Sequence, residues 1–297
     1  DSFVGSVKVG ITCGDPAGIG PEIIRAALKS SQLPRDVEYV TIGNPKSFTP
    51  GKPERASAEH AIQALEEAIL MARAKQIDAV VTGPVSKKTL HDAGFEFPGQ
   101  TEFFAARCGV SDFAMCLTGG KICVALVTAH VALSAVPQLL KQSEIVRIGR
   151  LLAEFLVRRG TQRPRLAVAG LNPHAGENGD LGREEIEIIG PAVNSLAHLL
   201  VGSATVSGPH SPDTIFHRAT SGEFDGILCM YHDQGLIPLK LHAFHHGVNV
   251  TLGLPFPRTS PDHGTAFDIA GKGIARPTSM ISAIKVACEL ASSPSQT

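Results

Sequence analysis

Short apolar segments alternate with amphipathic segments along nearly the whole chain, and this alternation limits the possible folds more than any other feature. Residues 7–12, 79–82 and 226–230 are compact apolar runs typical of buried strands. Residues 58–74 and 144–159 instead repeat apolar side chains at helical spacing. Because strands that alternate with helices usually form sheets covered on both faces, the pattern predicts an α/β/α sandwich with a mostly parallel or mixed sheet.

Composition narrows the class of protein further. The chain of 297 residues is 43% hydrophobic and 19% charged, so it can bury a large core. Its formal net charge of -1 argues against a general nucleic-acid-binding surface. Six cysteines without a C-x-x-C pair indicate buried thiols in a reducing compartment. Since the chain also opens without a signal peptide pattern, we expect a cytoplasmic protein with no nucleic-acid or membrane partner.

One uncharged segment, residues 122–140, has about the length of a membrane span. It contains His130, Ser134 and Pro137, and it begins with the apolar and β-branched residues of a strand. We therefore predict a strand, a turn and the start of a helix here, and no transmembrane helix. Residues 292–297 are expected to form a frayed tail.

Three histidines stand at points where predicted strands end. They are His130, His174 and His232, and Asp233 follows the last of them. In open α/β sheets the carboxyl ends of the strands form the ligand crevice. Three imidazoles delivered there could bind one divalent metal and leave a position open for substrate. Three unrelated loop histidines are the alternative, but the repeated context at strand ends favours a metal site.

A glycine-rich turn follows the first predicted strand. Residues 14–22 read Gly-Asp-Pro-Ala-Gly-Ile-Gly-Pro-Glu and lack the G-x-G-x-x-G spacing of a Rossmann fold. Pro21 and Glu22 suit the first turn of a helix, whose amino end would favour a nearby anion. An ordinary tight turn is the alternative, and Asp15 is either a turn residue or a carboxylate of the site.

Two segments at opposite ends of the chain resemble the isocitrate and isopropylmalate dehydrogenases. The glycine-rich turn is similar to their Gly-Asp-Gly-Ile-Gly-Pro-Glu turn, and residues 263–278 are similar to their adenosine-binding loop. The resemblance implies an isopropylmalate dehydrogenase-like fold, which binds NAD or NADP in a cleft between two lobes and is not a Rossmann fold. The cofactor-binding residues that it implies are Gly14, Asp15, His263, Gly264, Thr265, Ala266, Ile269 and Arg276.

No obvious linker separates the two expected lobes, so the division should be discontinuous in sequence. We expect a cofactor-side lobe made of residues 1–95 and 255–297. Residues 96–254 would form a metal-binding and dimerisation lobe.

From residue 14 to about residue 284 the chain resembles the 4-hydroxythreonine-4-phosphate dehydrogenase family. Besides the glycine-rich turn, the shared motifs are Thr-Glu-Phe-Phe at 101–104, Leu-Asn-Pro-His-Ala-Gly-Glu at 171–177, Met-Tyr-His-Asp-Gln-Gly at 230–235, Gly-Val-Asn-Val-Thr-Leu-Gly-Leu-Pro at 247–255 and Arg-Thr-Ser-Pro-Asp-His-Gly-Thr-Ala at 258–266. The family includes paralogues that act on phosphorylated sugar acids and on cyclic cis-diols.

This resemblance implies a role for each matching residue. The three histidines would hold one divalent metal (zinc, cobalt or magnesium) in a site shared across a homodimer, with Asp213 and Asp233 nearby. The implied substrate-binding residues are Gln100, Thr101, Lys240, Asn249 and Arg258.

Gln100 departs from the family pattern, which usually has histidine at this position. Glutamine can donate a hydrogen bond but carries no positive charge, so a phosphate contact there would lose its charge assistance. The departure leaves the exact substrate open.

The implied reaction is oxidation of a secondary alcohol by hydride transfer to NAD or NADP, followed by loss of CO₂. The expected substrate is 4-phosphohydroxy-L-threonine in pyridoxal phosphate (pyridoxine) biosynthesis. Lys240, Asp213, Asp233 and a metal-bound water are alternative general bases. A phosphorylated aldonate, such as D-threonate or D-erythronate 4-phosphate, or a cis-dihydrodiol carboxylate is the alternative substrate. A phosphate acyltransferase-like enzyme is the alternative from a different class.

Overall fold

The computed structural model describes residues 6–293. Residues 1–5, and residues 294–297 of the predicted frayed tail, lie outside the described residues. Within the described part, no helix combines the length and the apolar character needed to cross a bilayer. The uncharged segment 122–140 forms a strand, a loop, a 3-10 turn and a short α-helix, as predicted.

Residues 6–293 contain ten strands and ten α-helices, numbered here in chain order. The strands are β1 (Lys8–Thr12), β2 (Glu38–Ile42), β3 (Ala79–Thr82), β4 (Ala114–Gly119), β5 (Ile122–Leu126), β6 (Arg165–Ala169), β7 (Thr205–His210), β8 (Gly226–Cys229), β9 (Val248–Leu252) and β10 (Arg258–Pro261). The helices are α1 (Gly20–Leu28), α2 (Arg55–Arg73), α3 (Lys87–Asp92), α4 (Gln100–Cys108), α5 (Val136–Leu139), α6 (Gln142–Arg158), α7 (Gly190–Leu199), α8 (Pro212–Thr220), α9 (His232–Ala243) and α10 (Thr278–Ser292).

The chain divides into two compact units, and the division is discontinuous in sequence. The second unit is Asp112–Phe244, and the first comprises the described residues on either side of it. The boundaries predicted from the sequence lie elsewhere, at 95/96 and 254/255. Packing explains the difference, because Phe103 and Phe104 of α4 are buried in one apolar cluster with Leu65 of α2. Strand β9 likewise pairs with β10, so both α4 and β9 belong to the first unit.

In the first unit helices cover both faces of a mixed sheet with the order β2-β1-β3-β10-β9. The strands are parallel except for the antiparallel pair β9 and β10. Successive strand residues point to opposite faces. Val80 packs in the apolar cluster of α2, whereas the Thr259 hydroxyl, on the opposite face, donates to the Ala283 carbonyl of α10 over 2.8 Å.

The second unit repeats this arrangement with the strand order β4-β5-β8-β6-β7. Strands β4 and β5 form the predicted hairpin, and the other strand pairs are parallel. Ile227 of β8 packs with Leu239 of α9, while the neighbouring Gly226 lies on the other face against Leu152 and Leu156 of α6. Each unit is therefore an α/β/α sandwich with a mixed sheet, as the alternation of elements predicts.

Two elements were not predicted from the sequence, and both carry candidate site residues. Helix α9 contains Pro238, and a proline inside a helix removes a backbone hydrogen bond and weakens the helical pattern. Strand β10 reads Arg-Thr-Ser-Pro, a composition typical of a loop. Tertiary packing stabilises both elements, since Leu236 and Leu239 of α9 lie in the core and all four residues of β10 are buried.

Candidate functional site

Four parallel strands of the second unit end side by side, and each is followed by a predicted site residue. The strands lie in the order β5, β8, β6, β7. His130 follows β5, His232 begins the helix after β8, His174 follows β6, and Asp213 lies in the first turn of the helix after β7. The predicted placement of three histidines after buried strands is confirmed.

Backbone pairing beyond β5 and β8 brings two of the histidines together. The Thr128 backbone N–H and hydroxyl both donate to the Met230 carbonyl, over 3.2 and 2.7 Å. His130 and His232 each lie two residues beyond this contact, and their ring centroids are 5.6 Å apart. Because an imidazole nitrogen lies about 2.0–2.1 Å from a bound zinc ion, rings at this separation can share one metal.

Asp233 fixes the orientation of the His232 ring. Nδ1 of His232 lies 2.7 Å from Oδ1 of Asp233. Because a carboxylate oxygen accepts, this contact favours the neutral tautomer in which Nδ1 carries the proton and Nε2 has a lone pair for a ligand bond. A carboxylate that orients a metal-binding imidazole in this way also raises its basicity as a ligand. The donor set of His130 and His232 therefore fits a divalent cation.

His174 lies apart from this pair, in backbone of left-handed conformation with φ 52°. It lines a cavity of about 340 Å³ together with Asp213 and Tyr231. His130 and His232 line another cavity of about 340 Å³, to which Tyr231 also contributes. Among residues 6–293 of one chain, no group of three or more His, Cys, Asp or Glu side chains is arranged to hold a metal ion. One chain thus brings together two of the three histidines, and the full ligand set remains a prediction.

Gln234 was not among the predicted site residues, but it joins the ends of two of these strands. Its Oε1 accepts the Met230 N–H over 2.7 Å at the end of β8, and its Nε2 donates to the Gly170 carbonyl over 2.8 Å after β6. The side chain is buried, with 7% exposure. A glutamine beside His232 and Asp233 was a visible signal, because a buried amide needs partners for both of its polar atoms.

The structure distinguishes the surroundings of the three candidate bases. Oδ1 of Asp233 is hydrogen-bonded to Nδ1 of His232, and Asp213 accepts from the Ser211 hydroxyl over 2.7 Å. Lys240 is half-buried on α9, eight residues after His232. In a regular helix that separation is about 12 Å along the axis. The identity of the base remains a prediction.

In the first unit, Arg258 on β10 is a buried cation held by uncharged oxygens. The side chain is 2% exposed. Nη2 donates to the Thr82 hydroxyl over 2.7 Å and to Oε1 of Gln100 over 3.0 Å, while Nη1 donates to the Thr251 hydroxyl over 3.1 Å. The guanidinium also lies 5.3 Å from the centre of the Phe104 ring. Burial lowers the pKa of Arg258 to about 10, against a smaller opposing effect of Glu102.

Two buried polar atoms on the same sheet face as Arg258 are without a partner in the described part of the chain. They are Nε of Arg258 itself and Oδ1 of Asn249. Asn249 and Thr251 lie on β9, where Thr251 is directly opposite Arg258. Thr101 approaches this group through its hydroxyl, 3.5 Å from that of Thr251. Because buried polar groups are nearly always satisfied, leftover atoms here indicate a place for a polar ligand.

The glycine-rich turn and the loop after β10 are in contact within the first unit. The Ile19 N–H donates to the Thr265 carbonyl over 2.9 Å. A Cβ at Gly18 would lie 3.0 Å from the same carbonyl, so glycine permits the close approach. Gly14 has a φ of +71°, and a Cβ there would lie 2.4 Å from the Pro84 carbonyl. The two segments that resemble nucleotide-binding motifs therefore form one surface.

The Asp15 side chain hydrogen-bonds within the glycine-rich turn. It is 1% exposed, and its Oδ1 accepts the Ala17 N–H over 3.0 Å. Burial raises the pKa of this carboxyl, and the hydrogen bond from Ala17 opposes the shift.

The remaining cofactor candidates lie along the loop after β10. His263 and Gly264 are exposed, Ala266 has a left-handed φ of 41°, and Ile269 closes a short turn through its N–H to the Ala266 carbonyl. Arg276 is exposed, and its Nη1 lies 2.9 Å from Nε2 of His245.

The fold of the chain is similar to that of a known class of dehydrogenases. The structure of isocitrate dehydrogenase from Methylococcus capsulatus matches with a TM-score of 0.51 and 16% identity, covering 93% of this chain and 83% of that one. At this identity the likeness concerns the fold alone. The chain has the isocitrate and isopropylmalate dehydrogenase-like fold that the sequence predicts.

Sequence then defines the family. Residues 19–287 match the family model of pyridoxal phosphate biosynthetic protein PdxA. The chain is 43% identical to 4-hydroxythreonine-4-phosphate dehydrogenase of Erythrobacter litoralis, over 95% of this chain and 96% of that protein. The crystal structure of 4-hydroxythreonine-4-phosphate dehydrogenase from Klebsiella pneumoniae matches with a TM-score of 0.80 and 38% identity, covering 96% of this chain and 100% of that one. The chain belongs to the PdxA family.

A relative with a different named substrate is also similar. D-threonate 4-phosphate dehydrogenase of Pectobacterium atrosepticum is 38% identical over 95% of this chain and 99% of that protein. These relatives are dehydrogenases named for phosphorylated hydroxy acids.

Proposed function

We propose that this protein is an NAD(P)-dependent, metal-requiring dehydrogenase that oxidises and decarboxylates 4-phosphohydroxy-L-threonine in pyridoxal phosphate biosynthesis. The observation that carries the proposal is the pair His130 and His232, placed side by side after parallel strands with the His232 ring oriented by Asp233. Membership of the PdxA family supports the choice of reaction.

The residues of the second unit would hold the divalent metal. His130 and His232 offer two imidazole ligands, with Asp233 behind the second, and His174 is the proposed third ligand. A divalent cation would supply stabilisation of negative charge on the reacting oxygen. Lys240, Asp213 or Asp233 would take the hydroxyl proton. Zinc and cobalt suit imidazole ligands, and magnesium would depend more on substrate oxygens.

A homodimer is part of the proposal, since one chain does not gather all three histidines. On α9, the helix that begins at His232, Ile237 and Leu241 are 64% and 89% exposed, and Phe244 just after it is 70% exposed. These residues are spaced by four and three positions and so form one apolar stripe on the helix. An apolar stripe on the helix that carries a metal ligand suits a second copy of the chain, which would complete the site.

The residues of the first unit would hold the substrate and the nucleotide. Arg258 is a buried cation whose acceptors are uncharged, so an anionic substrate group would supply the missing negative charge. The partnerless Oδ1 of Asn249 would accept from a substrate ammonium or hydroxyl group. Gln100 and Thr101 lie at the start of α4 beside this position. The surface of the glycine-rich turn and residues 263–276 would bind NAD or NADP.

Turnover by the purified full chain tests this function. Metal-free protein is assayed for NAD and NADP reduction with 4-phosphohydroxy-L-threonine, after addition of zinc, cobalt or magnesium. D-threonate 4-phosphate, D-erythronate 4-phosphate and a cis-dihydrodiol carboxylate form the comparison panel. Metal-dependent reduction with the threonine derivative supports the proposal. Turnover with another member of the panel alone would reassign the substrate, and no reduction with any of them would refute the reaction.

A further inference from the structure

The loop that carries His174 has an unfavourable backbone conformation. Residues 174–178 all have positive φ, with values of 52° for His174 and Ala175, 44° for Glu177 and 57° for Asn178. Only Gly176, at 82°, adopts this region without steric conflict between Cβ and the backbone. Five successive residues in the left-handed region, four of which carry a Cβ, need strong contacts from elsewhere in the fold.

The buried carboxylate of Glu185 supplies such contacts. Its Oε1 accepts the backbone N–H groups of Leu171 and Asn172, both over 2.7 Å. Its Oε2 accepts from Nδ2 of Asn172 over 3.0 Å. The residue is 4% exposed, so little water competes for these bonds. Hydrogen bonds to an ionised acceptor are stronger than those between neutral groups.

Glu185 also packs against the backbone at both ends of the turn. A Cβ at Gly170, where β6 has ended, would lie 3.1 Å from Oε1 of Glu185. A Cβ at Gly176 would lie 2.7 Å from Oε2. The carboxylate therefore fills the space inside the turn that presents His174. Glu185 begins a π-helical turn, Glu185–Ile189, and such turns occur frequently at functional sites.

We infer that Glu185 is a positioning residue for the metal site, which holds the loop of residues 171–178 so that His174 can bind the cation. The inference rests on the proposed function, since it needs His174 to be a ligand. Glu185 itself touches neither metal nor substrate. Asn172 helps to hold the loop, because its Nδ2 donates to Oε2 of Glu185 and also to Oε2 of Glu184, the latter over 2.6 Å.

Cobalt binding by the full chain tests the inference without any measurement of turnover. Metal-free wild-type protein and Glu185→Gln are titrated with Co²⁺ and followed by visible absorption, with circular dichroism as the check on folding. Glutamine keeps the size of the side chain but places an N–H₂ group against an N–H donor. We expect about 10- to 100-fold weaker Co²⁺ binding and an altered spectrum. Wild-type affinity in folded Glu185→Gln would overturn the inference.

The matched control is Glu187→Gln on the same π-helical turn. Glu187 pairs with Arg183 on the surface, and its side chain is 58% exposed. The same chemical change there should leave Co²⁺ affinity and spectrum unchanged. An equal loss in both variants would overturn the inference, because it would reflect a general effect of charge on the turn.

A double-mutant cycle separates positioning from general destabilisation. In a His174→Ala background the ligand is already gone, so Glu185→Gln should cause no further loss of Co²⁺ affinity. A full additional loss there would overturn the inference. If Glu185→Gln does not fold, Asn172→Ala replaces it, since it leaves both backbone bonds to Glu185 intact. A smaller loss of affinity is then expected, and wild-type affinity would contradict the inference.

The proposed function fails in a different way. If wild-type protein binds Co²⁺ no better than a variant with both His130→Ala and His232→Ala, the metal site itself is refuted. If that variant loses binding while Glu185→Gln keeps it, only the inference about Glu185 is refuted.

Discussion

Nη2 of Arg258 lies 3.0 Å from Oε1 of Gln100, and this hydrogen bond links strand β10 to the first residue of helix α4. The carbonyl oxygen of Gln100 therefore accepts a hydrogen bond from Arg258, and the N–H₂ group of Gln100 remains available to contact a substrate. This contact gives a physical role to Gln100, a position at which the sequence is expected to depart from the family pattern.

We expect Gln100→Glu to weaken substrate binding strongly. A carboxylate in this place would pair with Arg258 and compete with the anionic group of the substrate. The KM for the phosphorylated substrate should rise by about 10-fold or more, an effect of roughly 1.4 kcal/mol. Steady-state kinetics measures the change, and the same substitution at the exposed Gln32 is the control. An unchanged KM in Gln100→Glu would count against substrate binding beside Arg258.

Gln100→His tests whether the same position selects the substrate, and its effect is measured as a change in relative kcat/KM. If residue 100 reads the substrate anion, this variant should shift the relative kcat/KM between 4-phosphohydroxy-L-threonine and D-threonate 4-phosphate. Identical ratios in wild type and variant would show that the position does not select the substrate.

Arg258→Met should show whether Arg258 contributes mainly to the stability of the fold or to substrate binding. The buried guanidinium is held by neutral acceptors, and burial has already lowered its pKa to about 10. Replacing a buried charge by an apolar side chain of similar size is often neutral or stabilising. We expect a change in unfolding free energy within about 1 kcal/mol and a substrate affinity reduced at least 10-fold. Urea unfolding and substrate titration measure the two effects. A large loss of stability would instead assign Arg258 a mainly structural role.

Asp233→Asn should weaken metal binding while leaving the fold intact. Asp233 is 68% exposed in its side chain, so its main contact is with Nδ1 of His232. An amide no longer favours the His232 tautomer that leaves Nε2 for the metal, and such changes cost about 10- to 100-fold in affinity. Calorimetric titration with zinc gives the affinity. Asp268→Asn, in the first unit, offers a comparison outside the proposed metal site.

Asp225 should contribute to stability at neutral pH but not to activity. It lies just before β8, and it accepts the Arg165 backbone N–H over 2.7 Å and the Arg165 Nε over 3.0 Å. The hydrogen bonds from Arg165 lower the pKa of Asp225, with burial opposing the shift. A lowered carboxyl pKa stabilises the folded state above the unfolded value of about 3.9, and that stabilisation is lost as pH falls through the folded value.

Asp225→Asn should therefore cost about 1–2 kcal/mol at pH 7, and the difference from wild type should shrink below about pH 4. Thermal unfolding at several pH values measures it. Turnover should be preserved, because Asp225 lies at the amino ends of strands whose carboxyl ends carry the site. A pH-independent difference would contradict the assigned ion pair.

Leu241→Glu should shift the proposed homodimer toward monomer. Leu241 is 89% exposed on α9, and a charge in the apolar stripe would have to be buried at the proposed interface. Sedimentation velocity should detect the change, and metal-dependent turnover should fall with it. Leu70→Glu, at a position 65% exposed on α2, is the matched control. A dimeric Leu241→Glu protein would place the interface elsewhere.

Much of the fold could be predicted because each strand and helix has a local pattern of apolar residues. The hairpin of β4 and β5, the helix after the glycine-rich turn and the strands before His130, His174 and His232 all follow from such patterns. Helix α9 and strand β10 could not be predicted, because Pro238 and the polar run after Phe256 oppose their regular structure locally.

The amino-acid sequence by itself determined the α/β class, the apolar faces of the elements and the placement of three histidines after strands, because these depend on neighbouring residues. Only the tertiary structure decided that His130 stands beside His232 while His174 lies on a left-handed turn braced by Glu185. It also placed Arg258 against Gln100. Such contacts join residues far apart in the chain, and strand order and side-chain packing determine which of them meet.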